Sequence, residues 1–148
     1  MARVLVTRRL PDGGTAPLIA AGHEIVARDD DRPFTHDELC AAVADVDALV
    51  CLLTDQIDDT VLAAGGGRLR VVANVAVGYN NIDVAACARR GVIATNTPGV
   101  LTDATADIAM ALVLMATRRL GEGERVIRSG SPWQWGMFYM LGAGIQGR

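Results

Sequence analysis

The sequence predicts an α/β protein, a doubly wound parallel sheet of five strands followed by one long helix. Three observations predict it. Five short runs rich in Val, Leu, Ile and Ala recur within the first 96 residues, separated by turn signals and stretches with helical spacing. The inner runs lack polar alternation, which fits strands covered on both faces by helices. A Thr97-Pro-Gly-Val100 stretch then ends the alternation before a longer helical pattern of different character.

Arg3-Val-Leu-Val-Thr7 reads as the first strand and Pro11-Asp-Gly-Gly14 as the loop after it. Residues 15–21 form a short helix ended by Gly22, and Glu24-Ile-Val-Ala27 is the second strand. Asp29-Asp-Asp31 and Pro33 make a polar loop in which three adjacent carboxylates sit in water. Thr35-His-Asp-Glu38 opens the next helix as a capping box, with Leu39, Val43 and Val46 at helical spacing behind it and His36 on the surface. Ala48-Leu-Val-Cys-Leu-Leu53 is the third strand. Thr54-Asp55 follows it, and Asp58 starts a short helix that stops at Gly65-Gly-Gly67.

The fourth strand, residues 69–75, leads into Val77-Gly78 and then a helix whose expected N-terminal residues are Asn80 and Asn81. That helix covers residues 82–90 and is stopped by Gly91; Val92-Ile-Ala94 is the fifth strand. Connections of this length suit right-handed crossovers, so residues 1–96 read as a flavodoxin-like unit. Loops beyond the carboxyl ends of such strands are where open α/β sheets bind ligands. Gly78 allows close backbone approach, and free N–H groups before a helix favour an anion. The Val77-Gly78 turn therefore reads either as a carboxylate cradle or as an ordinary strand-to-helix turn.

Residues 97–101 read as a hinge and 102–148 as a long helix plus tail, the helix running from 102 or 103 to about 128. Asp103 and Asp107 near its start and Arg118 and Arg119 further along suit the helix dipole. Between residues 108 and 116 it is apolar all round, which predicts cover on more than one side from a second domain or a partner chain. Gly121 and Gly123 predict fraying or a kink, and 131–133 could cap another turn. Gly142-Ala-Gly-Ile-Gln-Gly147 matches G-x-G-x-x-G by letter only, because a poor strand precedes it and no helix or acidic residue follows.

Composition narrows the function classes. With 148 residues, 51% of them hydrophobic, the chain can bury one good core. A net charge of −3 and a pI of 5.3 give no electrostatic case for nucleic acid or an anionic membrane surface. Cys40, Cys51 and Cys87 are widely spaced without metal-ligand spacing, as expected of buried thiols in a reducing cytoplasm, and no metal site is expected. The apolar run at the N-terminus is too short for a signal peptide. The longest apolar run, 108–116, is shorter than the ~20 residues that cross a bilayer, so a soluble cytoplasmic protein is expected.

Val72-Ala-Asn-Val-Ala-Val-Gly-Tyr-Asn-Asn-Ile-Asp83, then Arg90-Gly-Val-Ile and Asn96-Thr-Pro-Gly-Val-Leu-Thr-Asp-Ala-Thr-Ala-Asp107, resemble the D-2-hydroxyacid dehydrogenase family, and most nearly its glyoxylate/hydroxypyruvate reductase branch. The resemblance runs from about residue 48 to the end; the first forty-odd residues fit in pattern only. It implies reduction of a 2-keto acid, glyoxylate or hydroxypyruvate, by hydride from NAD or NADP in reduced form. It implies that Val77 and Gly78 match the loop whose backbone N–H groups hold the substrate carboxylate. Leu53 matches an apolar residue bordering the pocket, and Trp135 a tryptophan reaching a partner subunit's pocket, with Tyr139 a second position. Leu101 and Thr105 match positions against the nicotinamide end of the cofactor. For Leu53 and Trp135, core packing and surface anchoring are the competing readings.

The family's catalytic Arg, Glu and His belong to a nucleotide-binding domain that no residue here matches. The resemblance thus implies no catalytic residue in this chain, an absent Rossmann domain and no turnover by the 148 residues alone. Asn80 stands where the family commonly has Asp, and Gly65-Gly-Gly67 replaces a stiffer turn. Two other readings compete. A receiver-type binding module would need an acidic cluster ending the first strand and an Asp ending the third. A non-catalytic association module would use the 102–128 helix to dimerise, a property the enzyme reading shares.

Overall fold

The computed structural model describes every residue except Asp29, Trp133, Gln134 and Arg148. One member of the acidic triplet, Asp29, and part of the turn expected at 131–133 therefore lie outside the described residues. The chain forms two compact units, Met1–Val100 and Leu101–Arg148.

The first unit carries β1 (Arg3–Val6), α1 (Ala16–Ala20), β2 (Glu24–Ala27), α2 (His36–Val43), β3 (Ala48–Cys51), α3 (Asp59–Ala64), β4 (Val71–Asn74), α4 (Val84–Arg90) and β5 (Ile93–Thr95). All strand pairs are parallel and the order is β2-β1-β3-β4-β5. This is the doubly wound order of flavodoxin-like sheets, as the sequence predicts.

Local chemistry explains the boundaries. Thr35 and Glu38 form the capping box: Thr35 Oγ1 accepts from Glu38 N at 3.3 Å, and Glu38 Oε2 accepts from Thr35 N at 2.9 Å. Asp58 Oδ1 accepts from the N–H groups of Thr60 and Val61, both at 3.0 Å, and so starts α3. Gly91 ends α4 in the left-handed region at φ 67°, where glycine alone bears no Cβ cost. The helix before it starts later than the sequence predicts. Its cap is Asp83, whose Oδ1 accepts from Ala86 N at 2.8 Å, so Asn80 and Asn81 are not its first residues.

The core lies where α2, α3 and α4 meet the central strands. Leu39, Val43 and Val46 are buried against Leu49, Ile57, Val61, Leu62, Leu69 and Val72. Burying a side chain of this kind contributes about 1.5–3 kcal/mol. Cys51 and Cys87 are buried free thiols, and burial with nearby Asp55 pushes Cys51 up to about 12. Cys40 is half-buried, not fully buried as the sequence reading has it.

The second unit carries α5 (Thr102–Thr117) and α6 (Leu120–Arg128) in place of one continuous helix. The break comes before the glycines, at Arg119, which adopts φ 55°. Thr117 Oγ1 turns back onto the Val113 carbonyl at 2.7 Å, and Ala143 N takes the Thr117 carbonyl at 2.7 Å. Arg119 then clamps Glu122 with two bonds, 2.8 and 2.6 Å, which offsets the cost of its left-handed backbone. Gly121 and Gly123 sit inside α6 without kinking it. No residue of α5 is buried, so the cover expected on more than one side is not supplied within this unit. Among the described residues, no helix is long and apolar enough to cross a membrane.

Candidate substrate-binding site

The site is built from the two loops that leave the carboxyl ends of β3 and β4. Hydrogen bonds from asparagine side chains tie them together. Asn81 is buried, and its Nδ2 donates to the carbonyls of Leu52 at 3.1 Å and Asp55 at 3.0 Å. Asn74, at the end of β4, is buried beside it and donates to Asn81 Oδ1 at 3.1 Å. A single parallel bridge, Ile57 to Ile82, closes the base of both loops.

This wiring decides how the 76–78 backbone faces. The Ala76 carbonyl accepts from Thr97 N at 2.8 Å. The Val77 carbonyl accepts from Asn96 Nδ2 at 2.7 Å, and the Gly78 carbonyl from Asn74 Nδ2 at 2.8 Å. The acceptors of this turn are thus all engaged. The N–H groups of Val77 and Gly78 donate to no acceptor among the described residues, and both residues are exposed. Two adjacent amide donors with their carbonyls bound elsewhere are available to an acceptor, as successive backbone amides are in anion-binding turns. The donors lie ahead of α4, separated from its N-terminus by residues 79–83, so they act through the loop itself and not through a helix end.

Leu53 lies in the turn after β3, two residues past the strand the sequence extends to it. It is 56% exposed, so it is not a core residue. A Cβ placed on Gly78 would lie 3.7 Å from Leu53 Cδ2, so the apolar side chain sits beside Gly78. Leu53, Val77 and Gly78 are therefore brought together. Leu101, Thr105 and Trp135 belong to the second unit. Leu101 caps α5 and its carbonyl accepts from Thr105 N at 2.9 Å; both side chains are exposed, as are Trp135 and, partly, Tyr139.

Sequence reasoning missed Asn74 and Asn81 as determinants of the site. An asparagine ending an apolar strand, with another seven residues on, was the available signal. Asp55, the acidic residue just beyond the third strand, is buried. Its Oδ2 accepts from Thr7 Oγ1 at 2.5 Å and Leu52 N at 2.9 Å, and Arg8 lies 3.7 Å from its Oδ1. A receiver-type phosphoacceptor must be accessible, and Asp55 is not.

The tail glycines do not fit a dinucleotide-phosphate loop. Gly142 opens the only G-x-G-x-x-G pattern, yet a Cβ there would fall 2.5 Å from the Thr117 carbonyl oxygen and 2.8 Å from Arg118 Cα. This glycine is needed for packing against the end of α5, and residues 141–145 form no strand or helix. They build no dinucleotide loop. Among the described residues, no group of three or more His, Cys, Asp or Glu could hold a metal.

The sequence profile of the D-isomer specific 2-hydroxyacid dehydrogenase catalytic domain matches residues 4–139. This chain belongs to that family. Similar relatives include the glyoxylate reductase of Korarchaeum cryptofilum, 45% identical over 148 residues. That alignment covers 99% of this chain and 44% of the relative. The glyoxylate reductase of Thermococcus litoralis is 40% identical over 151 residues, 99% of this chain and 45% of its own. A Thermus thermophilus protein of known crystal structure superposes with a TM-score of 0.86 at 37% identity, covering 95% of this chain and 45% of that one. The chain thus spans less than half the length of these relatives.

Proposed function

We propose that this chain supplies the substrate-carboxylate half of an NAD(P)-dependent reductase that converts glyoxylate or hydroxypyruvate to the corresponding 2-hydroxy acid, the D isomer where the product is chiral. The observation that carries the reading is the pair of unpartnered amides at Val77 and Gly78 beside exposed Leu53. A 2-keto acid presents a carboxylate next to a small, weakly polar carbon skeleton. The two amides match the first and Leu53 the second. Holding the carboxylate fixes where the keto carbon lies, which is the orienting contribution a reductase needs from its substrate domain. The names of the glyoxylate reductases support the substrate class.

Leu101 and Thr105 are the positions proposed to lie against nicotinamide, NAD or NADP, in the whole enzyme, and Trp135 to reach a partner subunit. A homodimer through residues 102–128 is part of the same proposal. It rests on α5 exposing Ile108, Met110, Leu112 and Val113. Hydride transfer needs a proton donor and a bound cofactor, and the 148 residues alone are proposed to oxidise no NADPH.

Calorimetric titration of the purified chain with oxamate, a non-reducible 2-keto acid mimic, tests the binding half. Saturable heats are expected with oxamate and none with oxamide, which lacks the charge. Equal behaviour of the two compounds contradicts the proposal. NADPH oxidation with hydroxypyruvate by the same protein contradicts the inactivity of the chain alone.

A further inference from the structure

A second cavity opens on the same edge of the sheet, between the loop after β1 and the end of β2. It has a volume of about 320 Å³ and is lined by Val6, Arg8, Arg9, Thr15, Ala27 and Arg28, with Leu10 and Pro11 completing its apolar wall. It shares no residue with the Val77–Gly78 turn. We propose that this cavity is an accessory site for a phosphate-bearing small molecule.

Three arginines from two neighbouring strand ends line the space, and among the described residues no acidic residue lines it. Arg8 is the decisive one. Its side chain is only 7% exposed, and its Nε is buried with no hydrogen-bond partner. Its Nη2 is anchored from behind by Thr54 Oγ1 at 2.8 Å, with Asp55 at 3.7 Å. An unsatisfied buried donor on a fixed cation is costly, and an anion in the cavity that Arg8 lines would offset part of the cost of burying that charge.

Arg28 is held in place by stacking 4.5 Å from the Phe34 ring centroid and by Asp30 at 3.0 Å and Glu38 at 3.6 Å. Arg9 is exposed, with Asp12 at 4.0 Å as its ion-pair partner. Those carboxylates orient two of the cations without lining the cavity themselves. Several arginines around one space can supply more donors than a planar carboxylate has oxygens to use, whereas a phosphate offers three or four. The volume exceeds that of the bare ion, and the apolar wall leaves room for an organic portion.

The site also touches the proposed substrate ledge indirectly. Arg8 holds Thr54, the residue after Leu53, and the Asp55 carbonyl is held by Asn81.

The test is a titration of the ¹⁵N-labelled 148-residue chain with inorganic phosphate at constant ionic strength. Saturable shifts are expected at the amides of residues 8–10, 12–15 and 27–28, with apparent affinity weakened at least five-fold in Arg9→Gln and in Arg28→Gln. Arg9 is exposed, so Arg9→Gln keeps the fold, as its unperturbed core amides will show. Shifts that are linear in phosphate, or unchanged in Arg9→Gln, overturn the proposal. Acetate saturating the same amides as tightly as phosphate overturns the assignment to phosphate. None of these readings depends on Val77 or Gly78, so this site can fail while the carboxylate ledge stands, and the reverse.

Discussion

Asn74 and Asn81 pair through their side-chain amides, with Asn74 Nδ2 3.1 Å from Asn81 Oδ1, beneath the turn that carries Val77 and Gly78. Through this pair the ends of β3 and β4 share one buried polar network. Its members hold the carbonyls of Leu52, Asp55 and Gly78, which leaves the outward-facing amides available.

Replacing Asn81 with Leu removes the donor from two carbonyls at once. At about 1–3 kcal/mol for each buried acceptor left unsatisfied, the expected loss is about 2–6 kcal/mol, or roughly 4–24 °C in Tm for a chain of this size. Urea denaturation of Asn81→Leu measures it. An unchanged midpoint would show that the network contributes nothing to stability.

The alternating architecture was legible in the sequence because each strand is a short apolar run and each helix ends at a chemical signal. Thr35, Asp58 and Gly91 act as the reading assigns. The ends of β3 and β4 were less legible. The reading carries them to Leu53 and Val75, but the ladders stop at Cys51 and Asn74, and beyond them asparagine side chains bind the Leu52 and Gly78 carbonyls. Apolar character alone cannot report that change of partner. The break at Arg119 was hidden for a similar reason. It depends on Ala143, far along the chain, taking the Thr117 carbonyl, and on Glu122 receiving the Arg119 guanidinium.

Acid should weaken the fold through its capping carboxylates. The Arg32 guanidinium and then the Thr35 amide hold Glu38 at about 2, against the ordinary 4.5. The folded value is the lower one, so the ionised group favours folding above about 4.5 and that contribution is lost as the pH falls toward 2. A ¹³C titration of the Glu38 carboxyl is expected to give a midpoint near 2, moved upward in Arg32→Gln. A midpoint near 4.5 in the unaltered protein contradicts the assigned hydrogen bonds.

Exposed apolar side chains on every side of α5 predict self-association. Sedimentation of the 15.6 kDa chain is expected to show a dimer or larger species. Leu112→Glu, which places a charge on that face, should shift it toward monomer. A concentration-independent monomer mass for the unaltered chain contradicts the proposed homodimer.

The most direct measurement is an amide-resolved NMR titration of the chain with oxamate, using oxamide as the uncharged control. If Val77 and Gly78 hold the substrate carboxylate, their two amide resonances move furthest and saturate together with oxamate, and stay in place with oxamide. Saturation elsewhere, with these two amides unmoved, would contradict the carboxylate ledge and the function built on it.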